Sequence, residues 1–335
     1  MVVYTPILKS RAGEMSAIRH LAPEQVAHLL PIVEVVPSGS GRTVEQFLSR
    51  AARFPNELRF GLDLRHVLGD GGGALLLREL AAGLPMLVSL LPVVHLDDDP
   101  ALLAEAADTA RRHADEAIVR LPANGPPYDD IATQRELDRL CARTGLAVEQ
   151  CHLLIDADAV ASDRDVSVVE PEVRKRVSWA KRFAWRSIIV AAGAMPGNVR
   201  QAGFRTPTPV HRWDLELWNR VRDLGVRYAD YGIAHPGPVE RGWRPPPNLR
   251  YTDDEVWWVY RWPGGEAARA TMRELCRVLT HSEHWPSDGE SFSWGDERIA
   301  ACAAGRAGPG NATSWRAWGT SHHLAHVVAR LPRTR

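Results

Sequence analysis

Short apolar runs recur along the first 235 residues at intervals close to thirty, and this spacing constrains the fold more than any other feature. The eight runs begin near residues 3, 29, 58, 90, 117, 151, 186 and 226. A parallel strand and its return helix together take about 30 residues. Most of the runs are continuously apolar, which is typical of strands buried on both faces. Eight such steps predict a (β/α)8 barrel, with a doubly wound open sheet as the alternative that strand counting leaves open.

The segments between these runs carry helical periodicity. PALLAEAADTARRHADE places Leu102, Ala106 and Ala110 on one side and has its arginines late, an order that suits the helix dipole. TPVHRWDLELWNRVRDLG also carries helical periodicity and ends at Gly225, the predicted C-cap of its helix. Strands alternating with helices of this length favour the barrel over an all-β fold.

The β/α rhythm ends at Pro236, where the proline-rich stretch PGPVERGWRPPPNLR indicates a linker or an ordered loop. Beyond it, RYTDDEVWWVYRW predicts an extra strand, EAARATMRELCRVL a helix, and the chain closes with a final helix. All 12 tryptophans occur at or after Trp179. We therefore expect residues 1–236 to form the barrel and residues 237–335 to form a Trp-rich extension that closes its mouth and does not fold independently.

Charge and cysteine usage narrow the class of protein. The chain has 41 basic and 41 acidic residues, so no general positive field draws it to nucleic acid, and such a contact needs a local patch. Its four cysteines form no C-x-x-C pair and fit reduced thiols in a cytoplasmic protein. The N-terminus has no signal-peptide pattern, and no apolar stretch reaches the roughly 20 residues that span a bilayer, so no membrane partner is expected.

Polar residues enter late in most of the predicted strands. In a barrel, side chains at the C-terminal strand ends usually form the active site. A charge inside a barrel is costly unless it is paired, coordinated or used, so this joint pattern predicts a polar pocket, although structural ion pairs explain each residue taken singly. The strand-end residues are Lys9, Glu34, Asp63, Arg65, His95, Asp97, Arg120, Asp156, Asp158 and Asp230.

These residues suggest two kinds of ligand contact. The carboxylates of Glu34, Asp63 and Asp230 are predicted to hold Mg²⁺ or Mn²⁺, which prefer oxygen ligands. The cations Lys9, Arg65 and Arg120 would bind an anionic small molecule through phosphate or carboxylate groups. An alternative that stays open is a set of mutually satisfied ion pairs without a metal.

The reaction predicted for such a pocket is metal-assisted chemistry on a phosphorylated or nucleotide-like ligand, of the phosphoester hydrolase or lyase type. Asp156 and Asp158, which strand alternation places on one face, are the predicted catalytic acids together with His323. The chain has no Walker loop, no G-x-S-x-G elbow and no H-E-x-x-H motif.

Two adjacent histidines precede the last apolar helix. A helix starting after Thr320 or Ser321 would place His322 and His323 in its first turn, where the positive helix end favours a neutral imidazole able to act as a base. His322 and His326 stand at i, i+4, a spacing that could bind one metal ion. Packing, a metal site and a role at the pocket, with His322 binding ligand, all remain open from the sequence.

Four stretches of the chain resemble one known family. YTPILKSRAGEMSAIRHL followed by LLPIVEVVP, then LRYTDDEVWWVYRW, and finally GNATSWRAWGTSHHLAHVV are similar to the beta proteins, a family named after a phage member. The resemblance covers nearly the whole chain and implies a phage–bacterium setting rather than a reaction. By motif position it draws attention to Lys9, Glu34, Tyr251, Arg261, Trp315, Arg316, Gly319, His322 and His323, with Arg316 as a further ligand-binding candidate.

That setting supports two alternatives to an enzyme. One is a non-catalytic binding protein of phage–bacterium conflict, whose pocket or aromatic C-terminal face recognises a protein or nucleic-acid partner. The other is a barrel whose site is degenerate.

Overall fold

Eight parallel strands close into a barrel, so the predicted (β/α)8 architecture is confirmed over the open sheet. The computed structural model describes residues 2–39, 41–68, 72–126, 129–237, 246–263 and 268–331. The barrel order is β1-β2-β3-β4-β5-β6-β7-β9, and β9 pairs with β1. The first nine strands are β1 (Tyr4–Lys9), β2 (Ile32–Glu34), β3 (Arg59–Asp63), β4 (Ser89–His95), β5 (Ala117–Pro122), β6 (Cys151–Ala159), β7 (Ser187–Gly193), β8 (Thr208–His211), which lies outside the barrel, and β9 (Arg227–Asp230).

Helices between the strands cover the outside of the barrel. Local capping sets several of their starts: the side chains of Asp99, Asp129 and Ser162 each accept a backbone N–H from the first turn that follows. Gly145 ends one helix in the left-handed conformation, at φ 67°, that glycine adopts without strain. These helices are α1 (Ala12–Arg19), α2 (Pro23–Val26), α3 (Thr43–Ala51), α4 (Gly73–Ala82), α5 (Pro100–His113), α6 (Asp130–Thr144), α7 (Asp163–Ala180) and α8 (Trp213–Val221).

The barrel interior is apolar in its middle and charged at its C-terminal end. Ile7, Ile32, Ile118 and Leu154 belong to one buried cluster inside the barrel. Because side chains alternate along a strand, the residues two positions further on face the same interior. Those residues are Lys9, Glu34, Arg120 and Asp156, all buried. The sequence thus brings charged side chains to the end of the barrel where the βα loops begin.

The C-terminal extension builds a second layer on one side of the barrel. Strands β10 (Asn248–Thr252) and β11 (Val256–Arg261) form an antiparallel hairpin, and β11 also pairs with β8. Helices α9 (Ala268–Thr280), α10 (Trp294–Ala303) and α11 (Ala312–Arg330) enclose a second apolar core with this sheet. Close helix packing brings α11 against α1, where a Cβ atom on Gly13 would lie 2.8 Å from Cγ of Arg316.

Three local predictions differ from the structure. The stretch TPVH forms strand β8 rather than the start of a helix, because it pairs with β11, far away in the sequence. The stretch RYTDDEVWWVYRW contributes to two strands rather than one, with the turn at Asp253–Glu255. Helix α11 begins at Ala312, and not after Thr320 or Ser321, because Asn311 caps it by accepting the N–H groups of Thr313 and Ser314. Most of the predicted linker, residues 238–245, lies outside the described residues.

Candidate active site

A single buried guanidinium connects three strand-end carboxylates at the C-terminal end of the barrel. Arg120 donates from Nη1 to Glu34 Oε1 at 2.9 Å and to Asp63 Oδ2 at 2.5 Å. It also donates from Nε and Nη2 to Asp156 Oδ2, at 3.0 and 2.6 Å, and from Nη2 to the hydroxyl of Tyr231 at 2.6 Å. The Arg120 side chain is only 2% exposed. Three of the predicted site residues therefore meet through the cation predicted to bind ligand.

Two histidines extend this cluster towards solvent, each on its own carboxylate. His66 Nε2 lies 3.1 Å from Glu34 Oε2, and His95 Nε2 lies 3.3 Å from Asp63 Oδ1. The His66 side chain is 25% exposed and the His95 side chain 19%, whereas both carboxylates are fully buried. Each ring uses Nε2 for its carboxylate, so Nδ1 is the nitrogen left to meet a ligand. Two carboxylate–histidine pairs thus stand on neighbouring strands at the barrel mouth.

The electrostatics keep both carboxylates charged. Burial raises the pKa of Glu34, but the hydrogen bond from His66 and the charges of Arg120 and Lys9 outweigh it and lower the pKa to about 2. Burial likewise opposes the ionisation of Asp63, yet His95 and Arg120 hold the pKa of Asp63 well below its ordinary value. Burial lowers the pKa of His95, but the Asp63 carboxylate more than offsets this, so the net shift is upward. His95 therefore keeps its proton to higher pH than an ordinary histidine.

The two other predicted cations of the mouth differ in their exposure. Lys9 is 3% exposed, lies 3.6 Å from Glu34 Oε2 and donates from Nζ to the carbonyls of His235 and Pro236 at 3.0 and 2.7 Å. These hydrogen bonds of the ammonium hold the loop after β9 in place. Arg65 lies with Nη1 3.7 Å from Asp156 Oδ2 and is 41% exposed, so it is the cation that can reach a ligand from solvent.

Asp156 and Asp158 do not share a face, in contrast to the prediction from strand alternation. The pairing of β6 with β7 shifts register between Asp156 and Ala159, and Asp158 has a left-handed φ of 57°. This irregularity turns Asp158 to the exposed surface, where its backbone N–H donates to Asp156 Oδ1 at 2.9 Å. Asp156 alone of the pair reaches the Arg120 cluster.

Asp230 belongs to a second polar network, outside the barrel wall. Tyr231 faces the interior with Arg120, so the preceding residue faces the opposite side of β9. There Asp230 accepts hydrogen bonds from the hydroxyls of Tyr4 and Tyr228 and lies 2.9 Å from His323 Nε2. The expectation that Asp230 shares one cavity with Glu34 and Asp63 is therefore wrong, because strand alternation sends it to the other face.

The C-terminal histidines are buried in the middle of α11 rather than in its first turn. His323 contacts Tyr4 and Asp230 through Nε2, and its Nδ1 lies 2.8 Å from the Thr252 hydroxyl. His322 Nδ1 lies 3.0 Å from Asp296 Oδ2, and the ring stacks on Tyr251. Burial lowers the pKa of His323, so this ring is neutral for that reason and not because of the helix end.

The ionisation of Asp230 fits the same network. Burial raises the pKa of Asp230, but the electrostatic interaction and hydrogen bond with His323, followed by the charge of Arg212, 3.7 Å away, lower it to about 2. With Asp230 charged, Arg212 is its counter-ion and His323 its neutral hydrogen-bond partner. This arrangement binds α11 to the outside of the barrel.

Arg316 also serves the junction between α11 and the barrel. Its Nη1 donates to the carbonyl of Ile233 at 3.1 Å, and Arg250 donates to the same carbonyl at 2.6 Å. The half-buried Arg316 lies beside Glu14, whose pKa burial raises although Arg316 opposes the shift. Two arginines therefore fix the loop after β9, as Lys9 does from the other side.

Within the described residues, no group of three or more His, Cys, Asp or Glu side chains is placed so that it could hold a metal ion. The predicted ligands Glu34 and Asp63 direct their oxygens to Arg120, His66 and His95, and Asp230 lies beyond the barrel wall. The predicted set is thus not one cluster. The sequence interpretation missed His66, although it follows Asp63 by three residues directly after a strand end.

A parallel (β/α)8 barrel with charged side chains and partly exposed histidines at its C-terminal end is a TIM-barrel protein with a polar site where this fold usually carries one. The family model described as "Beta protein" matches residues 4–329. The chain therefore belongs to the Beta protein family. No helix among the described residues is long and apolar enough to span a membrane.

Several solved structures are similar to this chain at low identity. A dihydropteroate synthase from Yersinia pestis is 15% identical, with a TM-score of 0.38, over 69% of this chain and 88% of its own. A triosephosphate isomerase from Bartonella henselae is 11% identical, with a TM-score of 0.35, over 69% of this chain and 92% of its own. A type I 3-dehydroquinate dehydratase from Clostridium difficile is 12% identical, with a TM-score of 0.39, over 71% and 88%. No curated protein sequence matches the chain.

Proposed function

We propose that this protein is an enzyme that carries out acid–base chemistry on a phosphorylated or nucleotide-like small molecule at the barrel mouth. The observation that supports this most is the pair of partly exposed histidines, His66 and His95, each hydrogen-bonded to a buried carboxylate. A carboxylate that holds one ring nitrogen orients the imidazole and leaves the other nitrogen for a reacting group. The proposed reaction class is cleavage of a phosphoester, by hydrolysis or elimination.

The two histidines have different proposed roles. His95, whose pKa the Asp63 carboxylate raises, is the acid that protonates the leaving oxygen. His66 is the base that takes a proton from water or from the substrate. Arg65, the exposed cation at the mouth, contacts the anionic group of the substrate. Arg120 is a positioning residue, because it touches the carboxylates that hold both rings.

Histidine chemistry fits these residues better than a metal ion held by Glu34 and Asp63. Both oxygens of Glu34 accept or approach protein donors, Arg120 on one side and His66 on the other. Both oxygens of Asp63 likewise accept or approach protein donors, namely Arg120, His95 and the backbone N–H of Arg65. A divalent cation would have to displace either the histidines or the buried guanidinium of Arg120 from these oxygens, and displacing the guanidinium leaves its charge unpaired at high cost.

Phosphate release from a panel of nucleotides and sugar phosphates tests the proposal. We expect His95→Gln and His66→Gln to lower turnover by about 10²- to 10⁴-fold, the usual contribution of general acid–base catalysis, when measured at a temperature at which both variants are folded. His281→Gln, at an exposed position just after α9, is the matched control. Full turnover in both variants, or no release by the wild-type protein from any member of the panel, would count against an enzyme of this class.

A further inference from the structure

A small cavity of 160 Å³ lies between the loops that follow β1 and β2. Its volume is about five times the roughly 30 Å³ that one water occupies in the liquid, enough for a tetrahedral anion with five heavy atoms. The lining includes two arginines, three hydroxyl groups and one amide: Arg11, Arg50, Ser10, Ser38, Thr43 and Gln46.

The charge of this cavity is one-sided. No Asp or Glu side chain among the described residues lines it, and neither Arg11 nor Arg50 forms an ion pair within 4 Å with a carboxylate of that part of the chain. Four other cavities of the protein also contain arginine, and each of them includes at least one carboxylate. Two guanidinium groups that share a cavity without a carboxylate call for an anion of another origin.

Arg50 is held in place for such a contact. Its Nη1 donates to the carbonyl of Ser10 at 2.7 Å, and its Nη2 donates to Gln46 Oε1 at 3.1 Å. These two bonds fix the plane of the guanidinium and use two of its five N–H groups, so further donors remain for a ligand. Burial lowers the pKa of Arg50 without any carboxylate to offset it.

Two helices add positive potential at the same place. Helix α1 begins at Ala12 and helix α3 at Thr43, and both residues line the cavity. Neither helix has a side-chain hydrogen bond from its N-cap residue, Arg11 or Arg42. The first N–H groups of a helix favour an anion when no side chain caps them. These helix ends reinforce a site that the two arginines define.

We propose that this cavity binds a phosphate group, either as inorganic phosphate or as the phosphoryl group of the substrate. Ser10 directly follows Lys9 at the end of β1, and Val36 lies two residues after Glu34 at the end of β2, so the cavity opens on the barrel face that carries His66 and His95. In the second case the inference rests on the proposed function and adds the subsite that holds the substrate.

Calorimetric titration with inorganic phosphate, followed in parallel by ³¹P NMR, tests the site without any turnover. We expect Arg50→Gln and Arg11→Gln each to weaken phosphate binding by about 10- to 100-fold, the range for losing a charge-assisted hydrogen bond. Arg50→Lys keeps the charge but loses the planar fork of donors, so its phosphate affinity should lie between that of the two glutamine variants and that of the wild-type protein. Arg139→Gln, an exposed arginine paired with Glu136, is the control and should bind as the wild type does.

The source of the phosphate is distinguished by competition. If the cavity holds the phosphoryl group of a substrate, glycerol 3-phosphate should displace inorganic phosphate and glycerol should not; if it holds free phosphate, neither should. His66 and His95 do not line the cavity, so a failure of the acid–base proposal leaves the phosphate-binding result of the arginine variants intact. Wild-type protein that gives no phosphate signal, or Arg50 and Arg11 variants that bind as tightly as wild type, would overturn the site.

Discussion

Arg120 carries one positive charge into an interior that holds three carboxylates. Its bonds to Glu34, Asp63 and Asp156 comprise four donor–acceptor contacts, yet one guanidinium cannot neutralise three negative charges. The remaining charge is met from the rim, by Lys9 near Glu34 and by a protonated His95 on Asp63. The protonation state of His95 is thus linked to the charge of the buried carboxylates, so the stability of the site should depend on pH.

The direction of that response follows from the raised pKa of His95. A group whose pKa is higher in the folded state contributes stability that is fully present below its unfolded pKa, about 6.5, and lost as the pH rises through the folded pKa. We therefore expect the His95 resonance to titrate above pH 6.5 in ¹H–¹⁵N NMR. The difference in unfolding free energy between wild type and His95→Gln should shrink as the pH rises past that value.

Asp63→Asn provides the matching control, since it removes the charge that raises the pKa. In this variant the His95 titration should move down, because burial then acts without the opposing carboxylate. A His95 that titrates at or below 6.5 in the wild-type protein would contradict the assignment of this residue as the acid.

Helix α11 shows how one element depends on close backbone approach. At Gly319 a Cβ atom would lie 2.7 Å from the carbonyl oxygen of Arg250 and 2.9 Å from Cδ1 of Ile233. The first of these atoms is backbone in strand β10, which cannot move aside as a flexible side chain can. A glycine at this position therefore sets the distance between α11 and the sheet of the extension.

Gly319→Ala should destabilise the protein by about 1–3 kcal/mol, the usual cost of overpacking a well-packed interface. Chemical denaturation measures the change. Gly308→Ala is the control, because a Cβ atom at Gly308 meets nothing within 4 Å and alanine there should leave the stability nearly unchanged or slightly higher. Equal stability of the two variants would mean that α11 can shift on the sheet at little cost.

The barrel strands could be predicted from the sequence because burial on both faces leaves a continuous apolar signal. Each barrel strand begins within three residues of the expected position. The short strand β8 carried no such signal, since its pairing with β11 is set by a residue range almost fifty positions away. The start of α11 was missed because the capping role of Asn311 depends on which of several polar residues has the non-helical backbone.

The candidate site could be predicted only as a set of strand-end charges. The late strand position grouped Glu34, Asp63 and Arg120, which the structure brings together, but a one-residue difference in position sends Asp230 to the opposite face, and an irregularity in β6 turns Asp158 outwards. His66 follows its strand in a loop, where no periodicity applies. Its partner Glu34 comes from a different strand, so only the closed barrel brings the two together.

At the scale of the whole molecule, the barrel segment and the C-terminal extension each contribute residues to the structure of the other. Strand β8 belongs to residues 1–236 but has its strand partner, β11, in residues 237–335. In return, α11 contributes His323 to the buried network of Tyr4 and Asp230 and Arg316 to the loop after β9. Cutting between the two segments would therefore leave an unpaired strand on one side and unpaired polar groups on the other.

A chain that ends at Gly310, and so lacks α11, should be less stable than the full chain by at least about 3 kcal/mol. Removing His323 takes one hydrogen-bond partner from the buried Asp230, and removing Arg316 takes a positive charge from beside the buried Glu14; losing one member of a buried polar pair typically costs about 3–5 kcal/mol. The apolar surfaces of α1 and β10 that α11 covers would also be exposed to water.

Urea denaturation of both chains measures the difference, and limited proteolysis gives an independent test. If a protease cleaves rapidly near residues 308–310 and the remaining core keeps its stability, α11 is an appendage and its histidines do not hold the barrel; slow cleavage with cooperative loss of the whole fold is the expected result.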